Sequence, residues 1–214
     1  MESFKILEDL YSFSSYIGFI DLSFNQFLLT GGEPVLIHTG SIDQTRELHP
    51  KLDELLVGRR LSYIFISHFE SDECGGLRYL LDHYPEARPV CSQITARQLA
   101  GFGLAKDIVP KVPGDILEAG DYRLRFISYP SEMHLWEGLM AFEENRGLLF
   151  SSDLFIRRGM VKEALVDARL EDELQNMLPV QIPDPKAYEA VRKNIRELPV
   201  KYIIPGHGPC LRII

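Results

Sequence analysis

Ser67-His68-Phe69-Glu70-Ser71-Asp72-Glu73 is the stretch on which the reading of the fold turns. It follows Leu61 to Ile66, an apolar run of strand length, and precedes Gly75-Gly76, where a helix is expected to begin. One imidazole and three carboxylates crowded beyond a rigid strand suit a metal ion, because each group offers a lone pair. In a tight loop, residues two apart face one point. His68, Glu70 and Asp72 are therefore expected to converge, with Glu73 turned to the other side. The plainer alternative is a solvated acidic loop with one stray histidine, since short ligand patterns also arise by chance.

Upstream, Tyr16–Ile20 and Phe24–Leu29 read as strands, and Gly31-Gly32-Glu33-Pro34 turns the chain into Val35-Leu36-Ile37. Leu48, Leu52, Leu55 and Leu56 then share one helical face, and Gly58 stops that helix. Downstream, Ser92 is placed to cap a helix through Leu99, and Tyr122 to Ile127 alternates like a half-buried strand. Leu139–Phe142 pairs with Leu148–Phe150 across Glu144-Asn145-Arg146-Gly147. Residues 161–178 and 186–197 read as helices, the second with Asp184 as cap and Pro185 in its first turn. A last strand, Tyr202-Ile203-Ile204, runs into Pro205-Gly206-His207-Gly208-Pro209. The order of elements gives a mixed α/β class, with residues 1–214 as one domain and no repeat or linker.

Composition narrows the partners. The 214 residues carry 23 basic and 31 acidic side chains, a formal charge of −8, and 45% are hydrophobic. That balance is ordinary for a globular core, and the acidic excess without a basic run speaks against nucleic acid or an anionic membrane. No apolar run has the ~18 residues that span a bilayer, and the first residues lack a signal-peptide core. Three cysteines, Cys74, Cys91 and Cys210, show no CxxC spacing, so a cytoplasmic location is expected.

Three later residues bear on the metal reading: His134 in Met133-His134-Leu135-Trp136-Glu137, Asp153 after Ser151-Ser152, and His207 between two glycines. Each has a bland alternative: a buried hydrogen-bonded histidine, a strand-end cap, a turn residue. All three sit at strand ends, where a layered α/β protein presents ligands.

Taken together, these motifs resemble the metallo-β-lactamase fold, an αββα four-layer sandwich with a two-metal site. That family usually carries HxHxDH in its first loop, whereas this loop reads His-x-Glu-x-Asp-Glu. Glutamate in the second slot resembles the diiron domain of flavodiiron proteins, whose loop reads HxExDH. The segments His134-Leu135-Trp136-Glu137, Leu149-Phe150-Ser151-Ser152-Asp153 and Pro205–Pro209 are similar to that family's HWPD, LFSxD and last-ligand words. The resemblance implies His68, Glu70 and His134 on one iron, Asp72 and His207 on the other, and Asp153 bridging. Flavodiiron proteins have histidine where this chain has Glu73. Glu73 then either ligates, giving three histidines and four carboxylates, or turns away. His38 occupies a position where this fold commonly has aspartate, and is read with Trp136 and Tyr129 as lining or supporting the pocket rather than as a ligand.

An oxygen-rich ligand set favours iron or manganese over zinc. The resemblance implies two irons. Flavodiiron reductases continue into a flavodoxin-like domain, and no such domain or FMN site is expected in these 214 residues. The pattern resembles the stand-alone oxygen-binding diiron proteins, so an O2 sensor or carrier is expected, with a signalling partner and a homodimer implied by the same resemblance. Two alternatives stay open: an O2 or NO reductase fed by an external electron donor, and a binuclear metallo-hydrolase of thioesters, lactones or phosphoesters.

Overall fold

The computed structural model describes residues 1–130 and 138–214; His134 and Trp136 lie outside them. The first half of the chain builds one sheet and the second half another. The first contains β1 (Glu2–Lys5), β2 (Leu10–Ile17), β3 (Leu22–Leu29), β4 (Val35–Ile37), β5 (Tyr63–Phe65), β6 (Arg88–Ser92) and β7 (Val109–Lys111), hydrogen-bonded in that order. The helices α1 (Ile42–Leu56), α2 (Ser71–Cys74), α3 (Leu77–His83) and α4 (Gln93–Gly101) fall between its later strands. β1 to β4 pair antiparallel and β4 to β7 parallel. The crossovers through α1, α3 and α4 are what parallel pairing requires.

The second sheet contains β8 (Ile116–Ala119), β9 (Tyr122–Tyr129), β10 (Gly138–Glu143), β11 (Leu148–Ser152), β12 (Leu165–Ala168), β13 (Tyr202–Pro205) and β14 (Cys210–Ile213). Their spatial order is β12-β14-β13-β11-β10-β9-β8. Two helices, α5 (Leu170–Asn176) and α6 (Pro185–Arg196), complete this half.

Alternation along the strands sorts the apolar side chains into three layers of core. Phe27, Leu29, Val35, Ile37, Phe65 and Val90 of the first sheet meet Leu124, Phe126, Leu139, Ala141, Phe150 and Ile204 of the second. On the outer face of the first sheet, Leu28, Leu36, Ile64 and Cys91 pack against Leu48 and Leu52 of α1 and Leu77 and Leu80 of α3. On the outer face of the second, Met140, Leu149 and Ile203 pack against Leu174 of α5 and Val191 and Ile195 of α6. The result is the expected αββα sandwich, with sheets facing each other and helices outside.

Most local readings hold. Ser41 and Gln44 form a capping box on α1, and Val57 (φ 51°) followed by Gly58 (φ 76°) ends it in left-handed backbone. Ser92 accepts from the Thr95 amide, and Asp184 from the Ala187 amide with Pro185 at the first helical position. Leu149 faces Phe142 across the expected hairpin.

Two readings need correction. β2 ends at Ile17, and residues 18–21 form a turn in which Phe19 is 89% exposed, rather than continuing a strand. Residues 161–178 are not one helix: Leu165–Ala168 is a strand held parallel to β14, and α5 begins only at Leu170. Periodicity alone cannot reveal that partner, because β14 lies more than forty residues later in the chain.

Candidate metal centre

The loops that follow β4, β5, β11 and β13 meet at one edge of the sandwich. The loop after β5 carries His68 and Glu70 and then winds into the single turn α2, which carries Asp72 and Glu73. Its backbone is clamped by the loop after β4: Thr39 N donates to Glu73 O at 2.8 Å and Gly40 N to Asp72 O at 3.0 Å. The loop after β13 is tied down from the opposite sheet. Asn25 of β3 donates from Nδ2 to the carbonyls of Pro205 (3.2 Å) and Gly208 (2.7 Å), and its amide donates to Gly206 O at 2.8 Å.

Two buried imidazoles anchor the cluster. His207 donates from Nδ1 to the Ser23 carbonyl at 2.9 Å, which leaves the Nε2 lone pair free. That Nε2 lies 3.4 Å from Asp153 Oδ1 and 3.5 Å from Asp72 Oδ2. His68 Nδ1 lies 3.0 Å from Ser67 Oγ and 3.3 Å from Ser152 Oγ, and those hydroxyls are 2.8 Å apart. Its Nε2 is 3.1 Å from Glu70 Oε2, 3.3 Å from Asp153 Oδ2 and 3.8 Å from Glu73 Oε2. Asp153 thus turns one oxygen to each histidine. Tyr129 donates from its hydroxyl to Asp153 Oδ2 at 3.4 Å and sets its ring edge-on to His68, so it contacts the centre directly.

The loop reading is corrected at two points. His68 and Glu70 do converge, but Asp72 pairs with His207, and Glu73 faces inward with 1% exposure. An extended loop would send Glu73 outward; the helical turn Ser71–Cys74 swings it back over His68.

The electrostatics follow from crowding. Burial, reinforced by Asp153 and Asp72, pushes the Glu73 carboxyl well above its usual range. Burial also raises Asp72, with His207 opposing. For Asp153 burial would raise the carboxyl too, yet His207 and His68 hold it low. Both histidines are raised: burial works against them, but Glu70, Asp153 and Asp72 together outweigh it at His68, and Asp153, Asp72 and the Ser23 carbonyl together at His207. His38 is the exception, pushed down to about 3 by burial and by the neighbouring His68.

The donor chemistry fits cations. Among the described residues Glu73 Oε2 and Asp153 Oδ1 are buried without a hydrogen-bond partner, a costly state for a carboxylate oxygen unless something positive lies against it. Donor atoms of His68, Glu70 and Glu73 all fall within 4.8 Å of one another. Elsewhere the cysteines contribute nothing of this kind: all three are buried and free, with burial raising their thiols to about 12. Cys74 packs under the helices and Cys210 between the sheets, in different layers.

Sequence reading missed the residues that steady this cluster, Ser67, Ser152 and Asn25. Asn25 left a signal, a polar residue within the apolar run Phe24–Leu29, but its partners lie 180 residues away.

Two facing sheets with outer helices, and imidazoles joined through carboxylates at the strand ends, define a protein of the metallo-β-lactamase fold. Within that fold, residues 22–208 match the model described as ODP family beta lactamase, and the chain belongs to that family. Among curated proteins it is similar to the coenzyme F420H(2) oxidase of Methanothermobacter marburgensis, 26% identical over 87% of this chain and 50% of that protein. Diflavin flavoprotein A 1 of Synechocystis is 24% identical over 89% of this chain and 34% of its own length. The chain thus spans about a third to a half of such relatives. Among solved structures, rubredoxin oxygen:oxidoreductase from Desulfovibrio gigas superposes with a TM-score of 0.81 at 16% identity, covering 99% of this chain and 57% of that one. A flavoprotein from Thermotoga maritima gives 0.80 at 21%, with the same coverage. No helix among the described residues is long and apolar enough to cross a membrane.

Proposed function

We propose that this centre holds two iron ions and that the chain binds O2 as an oxygen sensor or carrier. The observation that carries the reading is Asp153, whose two oxygens address His68 and His207 separately. On the flavodiiron resemblance, His68, Glu70 and His134 serve one iron, Asp72, Glu73 and His207 the other, and Asp153 both, with Glu73 Oε2 also 3.8 Å from His68 Nε2. Ferrous iron supplies open coordination positions and the electrons that O2 draws on.

The chain's own residues set the conditions. Ser67 and Ser152 hold His68 by Nδ1 and the Ser23 carbonyl holds His207, so both rings keep Nε2 inward. The Tyr129 hydroxyl steadies the bridging carboxylate. The inner ligands His68, Glu73 and His207 are all 5% exposed or less, which keeps bulk water off them, while Glu70 has 47% of its side chain exposed and forms the open side.

Oxidative chemistry is favoured over hydrolysis by the carboxylates Glu70 and Glu73, which make the site rich in hard oxygen donors, and by relatives named as an F420H(2) oxidase and an anaerobic nitric oxide reductase flavorubredoxin. Those names also support a second reading, O2 or NO reduction driven by a separate electron donor. In either case the 214 residues act as one unit and Mn or Zn are the alternative metals; only the second reading calls for electrons from outside that unit.

Oxygen uptake by anaerobically iron-loaded protein separates the readings. A single stoichiometric uptake reversed under inert gas supports binding. Continuous uptake once reduced rubredoxin is added supports reduction. Zinc-loaded protein that ignores O2 and cleaves a thioester or lactone would overturn both.

A further inference from the structure

We infer, building on the two-metal reading above, that His38 is an additional ligand of this centre and binds beside Glu73 through Nδ1. His38 follows β4, with its amide donating to Phe65 O at 2.9 Å, and it is buried to 3% exposure. Its backbone is left-handed (φ 63°), a conformation that costs a non-glycine residue energy and that surrounding structure must enforce. The enforcing contacts are those of the next residues, Thr39 and Gly40, clamped to the carbonyls of Glu73 and Asp72. The strained residue is therefore fixed to the very turn that carries two carboxylates of the centre.

Among the described residues its ring has no hydrogen bond to explain it. Nε2 is buried without a partner among the described residues, and Nδ1 lies 4.0 Å from Glu73 Oε1, beyond hydrogen-bond reach. With no hydrogen-bond partner among the described residues, Nδ1 on the side of Glu73 is free to take a cation, with the ring proton on Nε2. Two donor atoms that share one cation at roughly 2.0–2.2 Å each can stand up to about 4 Å apart, so 4.0 Å admits a shared ion. The other Glu73 oxygen is 3.8 Å from His68 Nε2. Glu73 thus stands between His38 and His68 as Asp153 stands between His68 and His207. Phe65 stacks along the His38 ring, with centroids 6.4 Å apart at 27°, and supports its plane. The imidazole absent from the slot of Glu73 is supplied from the end of β4 instead.

Cobalt(II) loading tests this without any catalytic assay. Each ligating imidazole gives one strongly shifted exchangeable N–H resonance in the proton spectrum of the cobalt protein. The wild type is expected to take up two cobalt ions per chain and to show a resonance from His38 beside those of His68 and His207. His38→Asn keeps a residue that tolerates left-handed backbone, and should lose one resonance and weaken the binding of one cation by at least ~10–100-fold. Free imidazole added to His38→Gly should restore that affinity. An unchanged spectrum and affinity in His38→Asn would overturn the assignment while leaving the two-metal reading intact. A wild type that binds no pair of cations would overturn both. Where a variant does not fold, a nuclear Overhauser contact between one shifted N–H and the Phe65 ring identifies His38 in the wild type, and its absence overturns the assignment.

Discussion

Glu73 sits at 1% exposure among Asp72, Asp153 and His68, and its carboxyl is held well above the usual value of 4.5. A carboxyl raised by folding favours the protonated form, so its contribution to stability is full below about 4.5 and is lost as pH climbs through the raised value. His68 and His207, also raised, act in the same direction from 6.5 upward, while Asp153, held low, acts oppositely and only in acid. Metal-free protein is therefore expected to melt lower at about pH 8 than at about pH 6. Glu73→Gln should flatten that slope, raise the metal-free Tm at the higher pH, and weaken metal uptake; thermal scans after chelation check the first two. Glu73→His removes one negative charge from four carboxylates, so the potential of the iron centre should rise, read by redox titration. At this scale the sequence marked the polar cluster but not the directions of Asp72 and Glu73, because spacing in a loop does not disclose that Ser71–Cys74 is a helical turn.

The elements around the centre transmit their packing to it. Gly76 starts α3 against α1, and a Cβ there would lie 1.7 Å from Thr45 Oγ1. That hydroxyl donates to Thr39 O at 2.7 Å, inside the loop that clamps Asp72 and Glu73. Gly76→Ala should cost about 1–3 kcal/mol of stability and weaken metal binding as well, measured by denaturant unfolding and metal titration. Asp184→Ala removes only the cap of α6, far along the chain from the ligand loops, and should cost about 1 kcal/mol with metal uptake unchanged. Caps and hairpins such as Asp184 and Leu139–Phe150 were legible because their signals are local. β12 was not, since its strand character comes from pairing with β14 and its sequence looks equally helical.

Across the whole molecule, the two sheets bring together residues that are distant in the chain: Asn25 of the first holds the loop of His207, and Ser67 O accepts from the Leu139 amide of the second. The centre therefore depends on the sandwich being closed, and cations that bind across it should stabilise the folded chain in proportion to their affinity. The fold class was readable from sequence; β12 and the cross-sheet supports were not, because nothing local marks which strand will face or pair with which. The most direct measurement is anaerobic reconstitution with ferrous iron, followed by metal counting and absorption spectra before and after O2. Two irons per chain, and a near-ultraviolet or visible charge-transfer band that appears with O2 and persists, are the predicted result. Fewer than two irons, or a spectrum indifferent to O2, would contradict it.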